Sequence, residues 1–232
     1  MGKVVEFPLT RIKRSKTVFE TRSPISGRIR VIDVRNERRL VVAGEILSIY
    51  PLDGNWTPLR REYWWQAIDA VRLPSRPSVL LVGLGGGTQI HVLTQLADPQ
   101  AITVIERDPA IVDTALEWFE LRRIGNLEFC CGDAATVAPS LAQLDRRFDF
   151  VMEDAAYGDG VAGSIELARA VAPLVAPRGT LVLNRHRRVD ARRVADVMET
   201  IFRDVRMRRV KREGENVLIF CSHVVRKLRT RR

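Results

Sequence analysis

Four short stretches of this 232-residue chain carry residue types that can act together on one ligand. Gly83, Gly85 and Gly87 follow the apolar run VLLV at 79–82. Lacking Cβ atoms, they let the backbone turn sharply and approach a ligand closely, at the linker or amino-acid end of a nucleotide. Glu106 closes a second apolar run, 23 residues after Gly83, where a carboxylate accepts hydrogen bonds from both hydroxyls of a ribose. Asp133 and Ala134 follow a third run: the carboxylate can accept the exocyclic amine of adenine while the next N–H donates to a ring nitrogen. A helix cap is the competing use of the same aspartate. Asp154 follows a fourth run, FDFVME. Beside the reactive end of the ligand it can take a proton, provided burial or a neighbouring carboxylate raises its pKa; here too a helix cap is the alternative.

The elements that must position these residues alternate in the order strand, helix, strand. Strands are expected at 79–83, 101–106, 127–131, 148–153 and 179–184, with helices at about 88–97, 109–122, 134–142 and 163–176. Asp108-Pro109 starts a helix, the aspartate capping free N–H groups and the proline suiting the first turn. Pro177-Arg178-Gly179 is expected to turn before the strand TLVLN. A last helix at 190–202 then leads into strands 204–210 and 216–222, joined around Gly214. A closing hairpin beside a parallel sheet predicts the methyltransferase-type variant of the Rossmann-like fold, an α/β sheet of seven strands. Upstream, the runs TVFET, GRIRVIDV, RRLVVAG and EILSIY predict a small antiparallel β unit of three or four strands, and a helix is expected at 61–73. The organisation read from the chain is a basic lead-in (1–16), the β unit (17–58), the nucleoside-binding domain (59–223) and a basic tail (224–232).

Composition narrows the class. Hydrophobic content of 46% suits a globular chain, and no apolar run approaches the ~20 residues of a spanning helix. The first residues lack the apolar stretch of a secretory signal, so a cytoplasmic protein without a membrane partner is expected. Three cysteines, Cys130, Cys131 and Cys221, build neither a disulfide framework nor a zinc site. The net charge of +10 is concentrated at the ends. Residues 17–184 carry 17 basic and 21 acidic groups, whereas 185–212 carry 11 basic and four acidic. Such runs are usually solvated faces, with an anionic partner such as nucleic acid the minority reading.

These positions, in this order, resemble the polyamine aminopropyltransferases, the spermidine synthases and their relatives, from about Ser26 to about Leu183. The family's glycine loop GGGDG aligns with Gly83-Leu84-Gly85-Gly86-Gly87, its E-x-D-P with Glu106 of ERDP, its GD with Gly132-Asp133, and the first aspartate of its D-S-S-D loop with Asp154. The resemblance implies S-adenosylmethionine or its decarboxylated form as donor, an amine acceptor, Asp154 as proton acceptor, and a homodimer. Three departures fall on the acceptor side. Gly86 replaces the loop aspartate, Tyr157 replaces the second aspartate of D-S-S-D, and Trp65 and Ala67 stand where the family has tyrosine and glutamate. Each missing acid would have held a cationic amine. Trp64 and Trp65 can instead form an aromatic wall, or simply pack. Tyr157 can contact the acceptor through its phenol or pack its loop, and His186 reads mainly as a surface histidine.

The expected function is transfer of a methyl or aminopropyl group to a small acceptor. A nucleic-acid-directed methyltransferase using the basic ends, and a catalytically inactive nucleoside-binding relative, are the two competing readings.

Overall fold

The computed structural model describes residues 15–155, 160–211 and 215–225. Tyr157 and most of the basic lead-in and tail lie outside them. Two sheets make up the structure. The first is a four-stranded antiparallel meander, β1 (Ser15–Ser23), β2 (Gly27–Val34), β3 (Glu37–Val42) and β4 (Glu45–Pro51). Its Ile29, Val31, Leu40 and Val42 point into the core, the period-2 alternation of a sheet buried on one face, broken on β3 where Val41 is buried as well. A register shift between Leu40 and Val41 pairs Leu40 with Ser48 but Val41 with Ile46, leaving Leu47 as a bulge.

A 3-10 turn (Thr57–Arg61) and a short helix α1 (Tyr63–Asp69) lead into the second sheet. Its strands are β5 (Ser78–Val82), β6 (Ala101–Glu106), β7 (Leu127–Cys131), β8 (Phe148–Glu153), β9 (Val175–Arg185), β10 (Phe202–Lys211) and β11 (Glu215–Val224). Their order is β10-β11-β9-β8-β5-β6-β7, parallel throughout except for β11, which runs antiparallel to both neighbours. The expected seven-stranded sheet with a closing hairpin is the one observed, and so is the separate antiparallel sheet.

Between the strands lie α2 (Thr88–Leu96), α3 (Pro109–Trp118), α4 (Ala134–Gln143), α5 (Gly160–Val171) and α6 (Arg188–Met198). Along β5, Val79 and Leu81 join the core shared with α1, α2, α3 and the small sheet, while Leu80 and Val82 join the one beneath α4, α5 and α6. A strand covered on both faces reads as continuously apolar for this reason. Several boundaries differ from expectation: α1 covers only Tyr63–Asp69 of the expected 61–73, α3 ends at Trp118 rather than 122, and α5 runs Gly160–Val171 rather than 163–176. Pro177-Arg178-Gly179 is no free turn but lies inside β9, which begins at Val175; a register shift opposite Phe148 and Phe150 absorbs the proline. A Cβ on Gly179 would stand 2.7 Å from the Phe148 carbonyl oxygen, so only glycine lets the two strands approach there. The last helix runs 188–198 rather than 190–202, because β10 already begins at Phe202.

Candidate active site

The C-terminal ends of β5, β6, β7 and β8 open onto one cavity of about 970 Å³. Crevices of this kind, at the carboxyl edge of a parallel sheet, are where such folds hold ligands. Gly83, Gly85, Glu106, Asp133, Ala134 and Asp154 all line it.

The three glycines of the loop do different things. Gly83 has φ 95°, and a Cβ there would sit 3.1 Å from the Asp154 carbonyl oxygen. Gly85, at φ 55°, lies against β4, with its missing Cβ 2.7 Å from Ser48 Oγ. Gly87 does not line the cavity: it precedes α2 at φ 81°, and its absent side chain makes room for Leu121. The small sheet grips this loop directly. Gly86 N–H donates to Ser48 Oγ at 2.6 Å, and Thr88 exchanges two hydrogen bonds with the Ile49 backbone, at 3.0 and 2.9 Å. A Cβ on Gly86 would stand 2.9 Å from Ser48 Cβ and 3.0 Å from the Phe119 ring, so no acid fits where the aminopropyltransferase loop has one.

Glu106 braces the loop from the other side. One carboxylate oxygen accepts the Leu84 N–H and the other the Asp108 N–H, both at 3.0 Å. Burial raises its pKa above the ordinary value, against the pull of those N–H groups. Asp133 caps α4 by accepting the Ala135 N–H at 2.8 Å, and its exposed carboxylate also lines the cavity. The capping use and the cavity-facing use coexist in this one residue.

Asp154 is the most heavily engaged group. Its Oδ2 accepts the Tyr63 hydroxyl at 2.7 Å and the Gln89 amide at 3.1 Å, and its Oδ1 accepts the Asn184 amide at 2.8 Å. Burial raises its pKa to about 6, opposed by the Asn184 and Tyr63 hydrogen bonds. Beneath it the neighbouring Glu153, fully buried, pairs with buried Arg185 at 2.6 Å. Arg185 also donates to the carbonyls of Asn184, at 2.6 Å, and Ser164, at 3.2 Å, which fixes the strand end that carries Asn184.

Tyr63, Gln89 and Asn184 escaped the sequence reading. Gln89 had a signal, being the second residue of the helix entered from the glycine loop, and Asn184 had one as the end of the strand beside β8. Tyr63 had none, since its role depends on how α1 crosses the sheet edge. Trp64 lines the cavity. Trp65 does not: it is buried in the core beneath the small sheet, with the Arg60 guanidinium 5.4 Å from its ring. The cavity also holds acids that the alignment did not mark, because Glu45, Glu62 and Glu166 line it. His186 is exposed, and it lines the same cavity.

No family profile matches the chain. It is 31% identical over 167 residues to the eEF1A lysine and N-terminal methyltransferase of Danio rerio, a match covering 66% of this chain and 24% of that protein. It is 25% identical over 114 residues to a polyamine aminopropyltransferase of Vibrio vulnificus (strain CMCP6), covering 48% of the chain and 38% of that protein. The chain thus spans a quarter to two fifths of the length of these relatives. Among solved structures, spermidine synthase from Thermotoga maritima superposes with a TM-score of 0.68 at 12% identity, over 89% of this chain and 72% of that one. Human methyltransferase-like protein 13 in complex with SAH gives 0.59 at 23% identity, over 74% and 85%. The fold is therefore the class I S-adenosylmethionine methyltransferase fold shared with spermidine synthases, and the relatives by sequence are methyltransferases and an aminopropyltransferase.

Proposed function

We propose that this chain binds S-adenosylmethionine in the cavity and catalyses methyl transfer to an amine, with Asp154 as the proton acceptor. One observation carries the reading: a half-buried carboxylate with a pKa near 6 shares a cavity with the glycine loop and Glu106. The cradle fits an adenosyl donor. Gly83 and Gly85 let the loop pack against Asp154 and Ser48 and still line the cavity; to Glu106, on the same wall, we assign the ribose hydroxyls, and to Asp133 with Ala134 the adenine. Bound there, the donor supplies a methyl group on a sulfonium, open to in-line displacement.

The residues of the chain do the rest. Tyr63, Gln89 and Asn184 aim the Asp154 carboxylate and occupy three of its lone pairs, leaving Oδ1 with room to accept a proton. An acceptor ammonium gives up that proton, its nitrogen lone pair becomes free, and attack on the methyl carbon forms the N–C bond as the C–S bond breaks. A base near neutrality suits this task, since it is largely ionised at pH 7 yet still basic enough to draw a proton. Alignment of nucleophile and methyl carbon supplies the remainder.

Methyl transfer is favoured over aminopropyl transfer by the packing at Gly86, which excludes the acid of the aminopropyltransferase glycine loop, and by the 31%-identical relative being a lysine and N-terminal methyltransferase. The aminopropyl reading retains support from the two-sheet architecture, which spermidine synthase matches over 89% of the chain. Isothermal titration with S-adenosylmethionine and its decarboxylated form separates them. Tighter binding of the carboxylated donor, with methylation of an amine substrate, is expected. A marked preference for the decarboxylated donor overturns the methyl assignment.

A further inference from the structure

The mouth of the cavity on its β9 side borders a basic surface that the amine-transfer chemistry does not use. His186 and Val210 line the cavity, and the residues next to them in sequence are Arg187, Arg188, Arg208 and Arg209. Strand register puts them at one sheet edge, because Arg209 pairs with Val217 and Val217 with Arg185. Along β10, Arg209 lies on the face that α6 covers and Arg208 on the opposite one, so the basic surface wraps the edge strand. Arg188 and Arg208 are exposed and form no ion pair among the described residues. Arg187 and Arg188 also occupy the N-terminal end of α6, where the helix dipole disfavours positive charge. Asp190, 3.6 Å from Arg187, offsets only part of that cost. Arginines held against the local field, at the door of a cavity, call for a partner outside the chain.

We propose that this surface docks a protein whose acidic face flanks the amine to be modified. The inference rests on the amine-transfer reading above and adds to it the kind of partner. Two observations favour a protein over nucleic acid. The cavity next door is lined by Glu45, Glu62 and Glu166 as well as Asp154, and this field repels a phosphate chain led into it while attracting an ammonium group. The arginines are interleaved with exposed aliphatic side chains, Val189 at 60% and Met207 at 37%, and no aromatic is among the exposed large hydrophobic residues described. Aliphatic and arginine contacts suit a protein interface, whereas single-stranded nucleic acid needs aromatic stacking platforms.

The test uses the whole chain and a charge-reversed variant, Arg188→Glu with Arg208→Glu. Neither residue lines the cavity, so donor affinity should be unchanged, and a glutamate at the first position of α6 should leave the melting temperature at or above that of the native chain. Poly-L-glutamate is expected to bind the native chain at low salt, and the variant to lose about tenfold in affinity. A lysine peptide with an acidic flank should be methylated about tenfold more efficiently than one with a basic flank, and the variant should lose that preference. Mixed-sequence RNA binding more tightly than poly-L-glutamate, or binding of either that ignores the two substitutions, overturns the proposal. Absence of S-adenosylmethionine binding would instead defeat the amine-transfer reading, and the poly-L-glutamate measurement still reports on the surface by itself.

Discussion

Replacing Asp154 by asparagine tests the chemistry and the electrostatics in one protein. The native carboxyl titrates near 6 in the fold against an ordinary 3.8, because burial penalises its charge more than Asn184 and Tyr63 relieve it. About two pKa units correspond to roughly 3 kcal/mol. The folded state holds the proton more tightly than the unfolded state, so the native chain loses this stability as pH rises from about 4 through 6. An amide does not titrate. The stability of the variant relative to the native chain should therefore climb by roughly 3 kcal/mol between about pH 4 and pH 7 and then level off. For a chain of this size that is a relative shift of roughly 6–12 °C in melting temperature. A constant penalty of about 1–2 kcal/mol is superimposed, because one carboxylate oxygen becomes an NH2 facing a donor from Tyr63, Gln89 or Asn184. Loss of the base should lower the methyl-transfer rate by about 10²–10⁴-fold and remove the acid limb near pH 6. Differential scanning fluorimetry across pH, with initial rates at the same pH values, gives both readouts. A melting offset independent of pH, with activity within about tenfold of native, would refute the reasoning.

Three further outcomes follow from the geometry. Gly86→Asp, which restores the acid of the aminopropyltransferase loop, drives a side chain into Ser48 and Phe119 and should cost about 2–3 kcal/mol without bringing aminopropyl activity; urea unfolding and a product assay check it. Tyr63→Phe removes a hydrogen bond that stabilises ionised Asp154, so the acid limb of the rate profile should move up by about one pH unit while donor affinity is retained. Arg185→Met leaves Glu153 charged and buried without its partner, and equilibrium unfolding should register a loss of about 3–5 kcal/mol.

Much of this architecture can be read from the chain because its signals are local. The glycine cluster, the apolar strands covered on both faces and the Asp108-Pro109 start each follow from a few adjacent residues. Glu106, Asp133 and Asp154 share the cavity because parallel strands deliver their C-terminal ends to one edge. What escaped the reading depended on crossings between distant elements. Tyr63 meets Asp154 across 91 positions of sequence, and Trp65, its neighbour but one, turns into the core instead. Gly87 looks like its companions in the sequence, yet only the position of Leu121 shows that it serves packing. The proline at 177 suggested a turn because proline usually interrupts strands; a bulge in the β8–β9 pairing accommodates it.

The hold of Ser48 on the glycine loop has a consequence for how this protein can be cut or recombined. The Gly86 amide finds its hydrogen-bond acceptor on a strand that precedes the seven-stranded sheet by some thirty residues. A fragment beginning after β4 would leave that amide without its hydroxyl and strip the cover from the Phe119 ring, so the glycine loop would lose its shape. Transplanting the glycine loop onto another sheet of this type would therefore succeed only if the meander travelled with it.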